Sequence, residues 1–324
     1  MKYTYKYLED SWSNGYWKFI QNNLDKDDRW SWYYLSQNPN ITWEIIQNNL
    51  DMNWEWRTIA GNPNITWEII KNNPDKDWDF SWISQNLNIT YEILKKNSNK
   101  KCDLWLSQNP NISWEIIKDN PNTEWNWYYI SQNSNITWDI IQNNLDKNWD
   151  WNGISQNTNI TWEIIKNNPN KDWEWAYISM HQNITWEIIM NNPDKNWNMC
   201  FVSSNPNITF EIIQNNQNIY WDFNYISKNP CISWEIIQNN PDKDWDWNAI
   251  SCNPNITWEI IQNNPEKSWC WRNISLNKME KGKEQWKHKL RLRIIKTLQI
   301  QRHWRNCSCN PEFKLAQKLI TKCF

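Results

Sequence analysis

From residue 17 to residue 275 the chain alternates short apolar runs with runs of Asn, Pro and charged residues on a fixed beat. One pass of that beat reads SWEIIQNNPDKDWDWNAISCNPNI, from Ser233 to Ile256. The aromatic near its start recurs at Trp17, Trp43, Trp67, Tyr91, Trp114, Trp138, Trp162, Trp186, Phe210, Trp234 and Trp258, a spacing of 24 residues at most steps. A fixed period in this range is the signature of a solenoid. One such unit cannot bury its own apolar face, so stability has to come from stacking on its neighbours.

Two short helices can be placed in each unit by their caps. The residue before the first aromatic is Thr42, Thr66, Thr90, Ser113, Thr137, Thr161, Thr185, Thr209, Ser233 or Thr257, a hydroxyl able to bond the free amides of a first turn. An acid follows the aromatic, from Glu44 to Glu259, where a carboxylate favours the positive end of a helix dipole. These acids read as capping residues. The Asn-Asn-Pro of Asn239 to Pro241 stops the first helix, because the residue before Pro is disfavoured in helical backbone. A second helix is predicted to start after Asn53, Asp77, Asn148, Asp172, Asn196, Asp244 or Ser268, to run through a W-x-W-x-x-I core, and to end at the next Asn-Pro-Asn turn. Trp43 with Ile46 and Trp56 with Ile59 have the three-residue spacing of one helix face and mark the core. Layers roughly 8–10 Å apart predict a curved rod on the order of 100 Å long. The recurring Asn residues are predicted to satisfy turn backbone and to stack as a ladder. Nine of them, Asn40 to Asn255, also open N-I-T or N-I-S sequons, but glycosylation needs a secretory route for which the N-terminal MKYTYKYLEDSW offers no apolar leader.

Composition changes the picture in two ways. Thirty-one tryptophans against four glycines leave little material for phosphate-binding loops and much for packing. The net charge of −2 hides an asymmetry: residues 276–324 carry thirteen Lys and Arg against three Glu, a net of +10, so the remainder stands at −12. Eight cysteines fall at irregular places without CxxC pairs, which reads as free thiols in a reducing compartment. No stretch approaches the ~18 consecutive apolar residues of a membrane span. A soluble, intracellular protein with no transmembrane segment is expected.

The string N-P-N-I-T-W-E-I-I, followed by a capped second helix, resembles the leucine-rich variant repeat, whose units read N-P-x-x-x-x-E-L-L. That resemblance implies alternating α and 3₁₀ helices stacked in a right-handed superhelix. Trp stands here where that repeat has smaller residues, and its cysteine-rich iron–sulfur segment is missing, so no cofactor is carried over. Nearly the whole chain is similar to tryptophan-rich tandem-repeat proteins of unknown function from giant nucleocytoplasmic DNA viruses, which repeat N-P-N-I-T-W-E-I-I almost verbatim. The tail IQRHWRNCSCN, Ile300 to Asn310, with Pro311 after it, resembles a basic I-Q-x-x-W-R-x-C-x-x-x-P tail of such viral proteins. The resemblance implies a viral protein acting in the host cytoplasm. The fold expected is therefore all-α: a right-handed α-solenoid of about eleven 24-residue two-helix repeats, with an N-terminal cap segment at 1–16, repeats at 17–275 and a basic helical tail or C-terminal cap at 276–324.

Catalysis finds no footing. His181, His288 and His303 lie far apart, and no unit gains a nucleophile, a base and an orienting partner together. The informative places are those where units differ. The residue before the second-helix aliphatic is aromatic in seven units: Tyr34, Trp82, Trp105, Tyr129, Tyr177, Phe201 and Tyr225. Tyr129 sits one helical turn from Trp125, which predicts an aromatic stripe apart from the Trp127 and Ile130 face. Exposed, the stripe suits protein recognition; buried, it is packing between units. From Trp286 to Trp304 the tail sets Leu290, Ile294 and Leu298 among Lys287, Lys289, Arg291, Arg293, Lys296 and Arg302, with Arg305 beyond, a basic amphipathic helix that either caps the apolar end of the rod or makes a second contact. The reading is a non-enzymatic protein–protein interaction scaffold with no catalytic, metal or cofactor site. Its alternative is a nucleic-acid-associated protein binding through the tail.

Overall fold

The computed structural model describes residues 2–24, 29–97 and 106–309, with side chains described for residues 6–24, 29–97 and 106–301. Among the described residues the chain is all-helical: a tandem repeat of short helices, an α-solenoid, lies between a 20-residue N-terminal helix (Lys2–Gln21) and a 30-residue C-terminal helix (Glu280–Cys309).

The first helix of each unit forms as its caps predict. The Thr42 hydroxyl accepts from the Ile45 amide at 3.3 Å, and the bond recurs through Thr257 and Ile260 at 3.3 Å. At the other end Asn49 folds back and donates from Nδ2 to the Ile45 carbonyl at 2.7 Å, giving a partner to one of the carbonyls that a helix end leaves free. The Asn49 carbonyl in turn accepts from Trp54 Nε1 at 2.7 Å. That last bond corrects the sequence prediction for the second helix. The first Trp of each W-x-W stays in extended backbone while its indole reaches back, so the helix begins two residues later than expected, at the second Trp. The N-caps are Glu55, Asp79, Asn126, Asp150 and their equivalents, not Asn53, Asp77 or Asn148.

Isoleucine fills the centre. Ile41, Ile46, Ile59 and Ile65 are fully buried and their equivalents recur along the chain, while most tryptophans form a half-buried outer layer against them. Burying such a side chain contributes about 2–3 kcal/mol. Polar residues join one unit to the next. Asn62, fully buried, donates from Nδ2 to the carbonyls of Ser36 (3.0 Å), Asn38 (3.0 Å) and Ile41 (3.2 Å) in the preceding unit, and its Oδ1 accepts from the Asn64 amide. The buried Ser36 hydroxyl accepts from the Glu55 amide at 3.0 Å. Both patterns repeat at most junctions, for example Asn157 on Ser131, Asn133 and Ile136, and Ser131 under Asp150. The predicted Asn ladder is therefore the joint between units. The sequon asparagines belong to it: Asn64 Nδ2 donates to the Pro39 carbonyl at 2.9 Å, and Asn255 Nδ2 to Pro230 at 2.9 Å, so a glycan on either amide would have to displace a bond of the stack.

The stack is not an open rod, as the spacing alone suggested. Its last unit packs on its first with the bonds used everywhere else. Asn38 Nδ2 donates to the carbonyls of Ser275 (2.9 Å) and Asn277 (3.2 Å), Asn40 Nδ2 donates to Lys278 (2.9 Å), and the Ser31 amide donates to the Ser275 hydroxyl (3.1 Å). Trp30 meets Trp271 edge-on at 5.0 Å, as Trp149 meets Trp127 at 5.1 Å. Each junction leads to the next and the last leads back, so the units close into a ring.

Most neighbouring second helices lie directly against one another, including Trp32–Gln37 on Trp271–Leu276, whereas among the described residues no two first helices pack in this way. In a closed stack the elements nearer the axis are crowded and the outer ones spread. Second helices therefore form the inner wall and first helices the rim.

The terminal helices clasp the seam. The N-terminal helix runs unbroken across residues 16 and 17, and its second half takes a first-helix place, with Trp17 on Trp54 at 5.6 Å as Trp114 is on Trp149 at 5.7 Å. Trp12, fully buried, lies 4.1 Å from Trp258 and donates from Nε1 to Asn40 Oδ1 at 2.9 Å. The C-terminal helix packs on the N-terminal one, with Lys283 and Lys287 both paired to Glu9. A tail capping an apolar rod end has no end to cap here, and it straps the joint instead.

Candidate interaction surfaces

The aromatic stripe lies on the inner wall. Tyr34, Trp82, Tyr129, Tyr177, Phe201 and Tyr225 are all half-buried, and Trp105 lies outside the described residues. The rings are neither fully exposed nor fully buried: they lean on neighbouring side chains and keep a share of their surface open. Phe201 and Tyr225 are 5.4 Å apart in adjacent units. The Arg272 guanidinium lies 5.5 Å from the Tyr34 ring across the seam. The stripe does not share a helix with the first Trp of W-x-W: Trp125 precedes the helix Trp127–Gln132 that carries Tyr129.

Small residues let the large ones converge. Tyr33 reaches past Thr58 to Trp82 at 6.2 Å, a contact that skips one unit and is possible only where side chains point toward a common axis. At Gly153 the adjacent backbone comes so close that a Cβ would stand 2.4 Å from the Tyr128 carbonyl oxygen. Beyond this gap Tyr128 and Tyr177 face each other, and their mutual interaction, with partial burial, pushes the Tyr177 phenol up. Gln156 donates from Nε2 to the Tyr128 hydroxyl at 2.9 Å, and Gln132 to Gln156 Oε1 at 2.9 Å.

Sequence reasoning missed the neighbouring position on the same helix. Tyr33 is 45% exposed, and Arg57, Asn152, Asn224, Asn248 and Arg272 are exposed as well. The available signal was their variability from unit to unit. Taken together, the second, third and sixth residues of the described second-helix segments include Arg57, Lys228 and Arg272 but no carboxylate, in a repeat region that is otherwise acidic.

The tail residues fall into three groups. Lys287 is 3% exposed and committed to Glu9 and Glu284. Lys289 and Arg293 line a cleft of about 630 Å³ whose opposite side carries Glu235 and Glu259. Arg291 and Lys296 are open to solvent, as are Leu292, Ile295, Leu298 and Ile300. The side chains of Arg302 and Arg305 lie outside the described residues.

His181 stands in the Asn ladder. Its Nδ1 accepts from the Asn183 amide at 3.3 Å, which requires Nε2 to carry the proton it donates to the Asn157 carbonyl at 3.1 Å. Burial lowers its pKa and favours this neutral form. Among the described residues no group of His, Cys, Asp and Glu is arranged to hold a metal ion, and no helix is long and apolar enough to cross a membrane. Cys200, Cys231, Cys252 and Cys270 are free thiols. No protein-family model matches the chain, and neither does any curated protein or solved structure.

Proposed function

We propose that the chain is a non-enzymatic interaction scaffold, a ring of eleven two-helix units in a right-handed solenoid, that holds a polypeptide partner against its inner wall. On this reading it acts in the cytoplasm of an infected host cell, as its resemblance to tryptophan-rich repeat proteins of giant DNA viruses implies. One observation carries the proposal: among the described residues the second, third and sixth positions of the second helices combine half-open aromatic rings with amide side chains and no carboxylate, the nearest acids being the helix caps such as Asp150 and Glu174. Tyr and Trp are the usual anchors of protein interfaces. Amides such as Gln37, Asn152 and Asn224 can bond a peptide backbone whatever its sequence. Eleven second helices roughly 8–10 Å apart enclose an opening of roughly 20 Å once helix thickness is subtracted. That is room for one helix of roughly 10–12 Å or for an extended segment.

The test is a photo-crosslinking residue at Asn152, on the wall, compared with one at Gln142, on a rim helix. Polypeptide adducts concentrated at position 152 support the proposal. Adducts with nucleic acid, or equal labelling at both positions, contradict it.

A second reading, nucleic-acid binding through the tail, is favoured by the open Arg291 and Lys296. Phosphate contacts make such binding steeply salt-dependent. Deleting residues 294–324 removes Lys296 and the chain that follows and spares the strap at Lys283 and Lys287, so loss of salt-dependent oligonucleotide binding by that deletion separates attachment from folding.

A further inference from the structure

Where two first helices lie side by side, their first turns form a groove on one edge of the ring. Between Trp234–Asn239 and Trp258–Asn263 this groove is lined by Ser233, Trp234, Glu235, Thr257, Glu259 and Ile260, and the C-terminal helix lies along it with Trp286, Lys289, Leu290 and Arg293. The same groove recurs three repeats earlier, lined by Thr161, Trp162, Glu163, Thr185, Glu187 and Ile188, with no helix along it and a volume of about 720 Å³. Glu163, Glu187, Trp162 and Ile188 stand where the first groove has Glu235, Glu259, Trp234 and Ile260, and the open groove is lined by Lys166, Asn191 and Asn192 as well. One has a basic helix along it across a cleft of about 630 Å³, and the other is open.

A suitable occupant is present in the chain. From Arg291 onward the C-terminal helix turns most of its side chains away from that groove: Arg291 and Lys296 are exposed, and Leu292, Ile295, Leu298 and Ile300 are between 46% and 68% exposed. Exposed aliphatics spaced among cations match a groove that offers a half-buried Trp162 and Ile188 between Glu163 and Glu187. Charge complementarity holds at longer range too, since the tail is +10 and the remainder −12.

We propose that two copies of this chain exchange tails: the free half of each C-terminal helix lies in the Thr161–Ile188 groove of the other, giving a two-fold dimer. A reciprocal exchange closes and leaves no unpaired tail to extend a filament. The cations pair with the groove carboxylates, and the aliphatics close over Trp162 and Ile188, a tighter version of the cleft that Leu290 and Trp286 share with Trp234 and Ile260 within one chain. The contact is independent of the inner wall.

Sedimentation of the full chain tests this, using the charge-reversal variants E163K/E187K and R291E/K296E. All four residues are exposed and away from the seam, and unchanged melting curves check that the ring is intact. The wild type is expected to be dimeric at about 10 µM in low salt, and each variant to associate at least about tenfold more weakly. Mixing the two variants is expected to restore a dimer, because one supplies a native groove and the other a native tail. A wild type that stays monomeric at about 100 µM, variants that dimerise like the wild type, or association that appears only with added oligonucleotide or anionic lipid vesicles would overturn the proposal.

Discussion

The junction at Asn157 and the seam at Asn38 are built from the same bonds, but they close loops of very different length. Asn157 reaches carbonyls 24 and 26 residues earlier, while Asn38 reaches carbonyls 237 and 239 residues away. Loop-closure entropy grows by about 0.6 kcal/mol per doubling, so the seam costs about 2 kcal/mol more than an interior junction. The fold adds contacts where that deficit falls. Only the seam has Trp12 buried against Trp258 and two lysines of the C-terminal helix paired with Glu9 of the N-terminal one. Repetition explains how neighbours stack, and the non-repeated ends explain why the stack stays closed.

Matched substitutions break this comparison most sharply. Asn157→Ala removes three hydrogen bonds into the preceding unit, although the Asn133 and Ile136 carbonyls keep the Ile136 amide and Asn159 Nδ2, and is expected to destabilise the ring by about 3 kcal/mol, read as a lower midpoint in urea. Asn38→Ala removes the equivalent bonds at the seam, and its expected sign is a larger radius by small-angle scattering under native conditions, because the ring can open there without unfolding. Equal behaviour of the two variants would remove the distinction between seam and interior.

Gly153→Ala addresses the crowding of the inner wall. In an ordinary helix this change stabilises by about 1 kcal/mol. Here the new Cβ meets the Tyr128 carbonyl oxygen at 2.4 Å, and a loss of about 1–3 kcal/mol is expected, checked by thermal melting. Thr137→Ala removes a first-helix cap on the uncrowded rim and is expected to cost about 1 kcal/mol, with no change in ring dimensions.

The smallest effect concerns His181. Its folded pKa lies below the ordinary 6.5, so the unfolded chain takes up the proton first as the pH falls. Stability from this residue is full above about pH 6.5 and declines below it. His181→Asn restores the ladder residue found in other units and is expected to flatten stability between pH 7 and pH 5 by less than about 1 kcal/mol, measured by urea titration at each pH.

Much of this was legible in the sequence for local reasons. The period and the first-helix caps are each written within a few residues, and the Asn ladder follows from amides repeating at the turns. The start of the second helix was not legible. Asp77 and Asp79 are equally good caps by type, and the choice depends on whether the indole of Trp78 reaches the Asn73 carbonyl, as it does at 2.7 Å. Closure was hidden for a different reason: it depends on the rotation from unit to unit, and identical units turning slightly less would give an open superhelix. One clue was present, since Ser31, Asn38 and Asn40 at one end and Ser275 and Asn277 at the other keep the joint residues where an open stack would carry polar caps. The inner wall was half legible: its aromatic positions were recognised, but Tyr33 and Arg57 needed the curvature to be seen.

The most direct test of the closed ring is resonance energy transfer between two dyes placed by non-cysteine chemistry at Gln37 and Leu276, the last residues of the second helices on either side of the seam. A control pair at Gln132 and Gln156 spans one interior junction. The ring predicts equal, near-complete transfer for both pairs in native buffer. Near-complete transfer for the interior pair with little for the seam pair would contradict it.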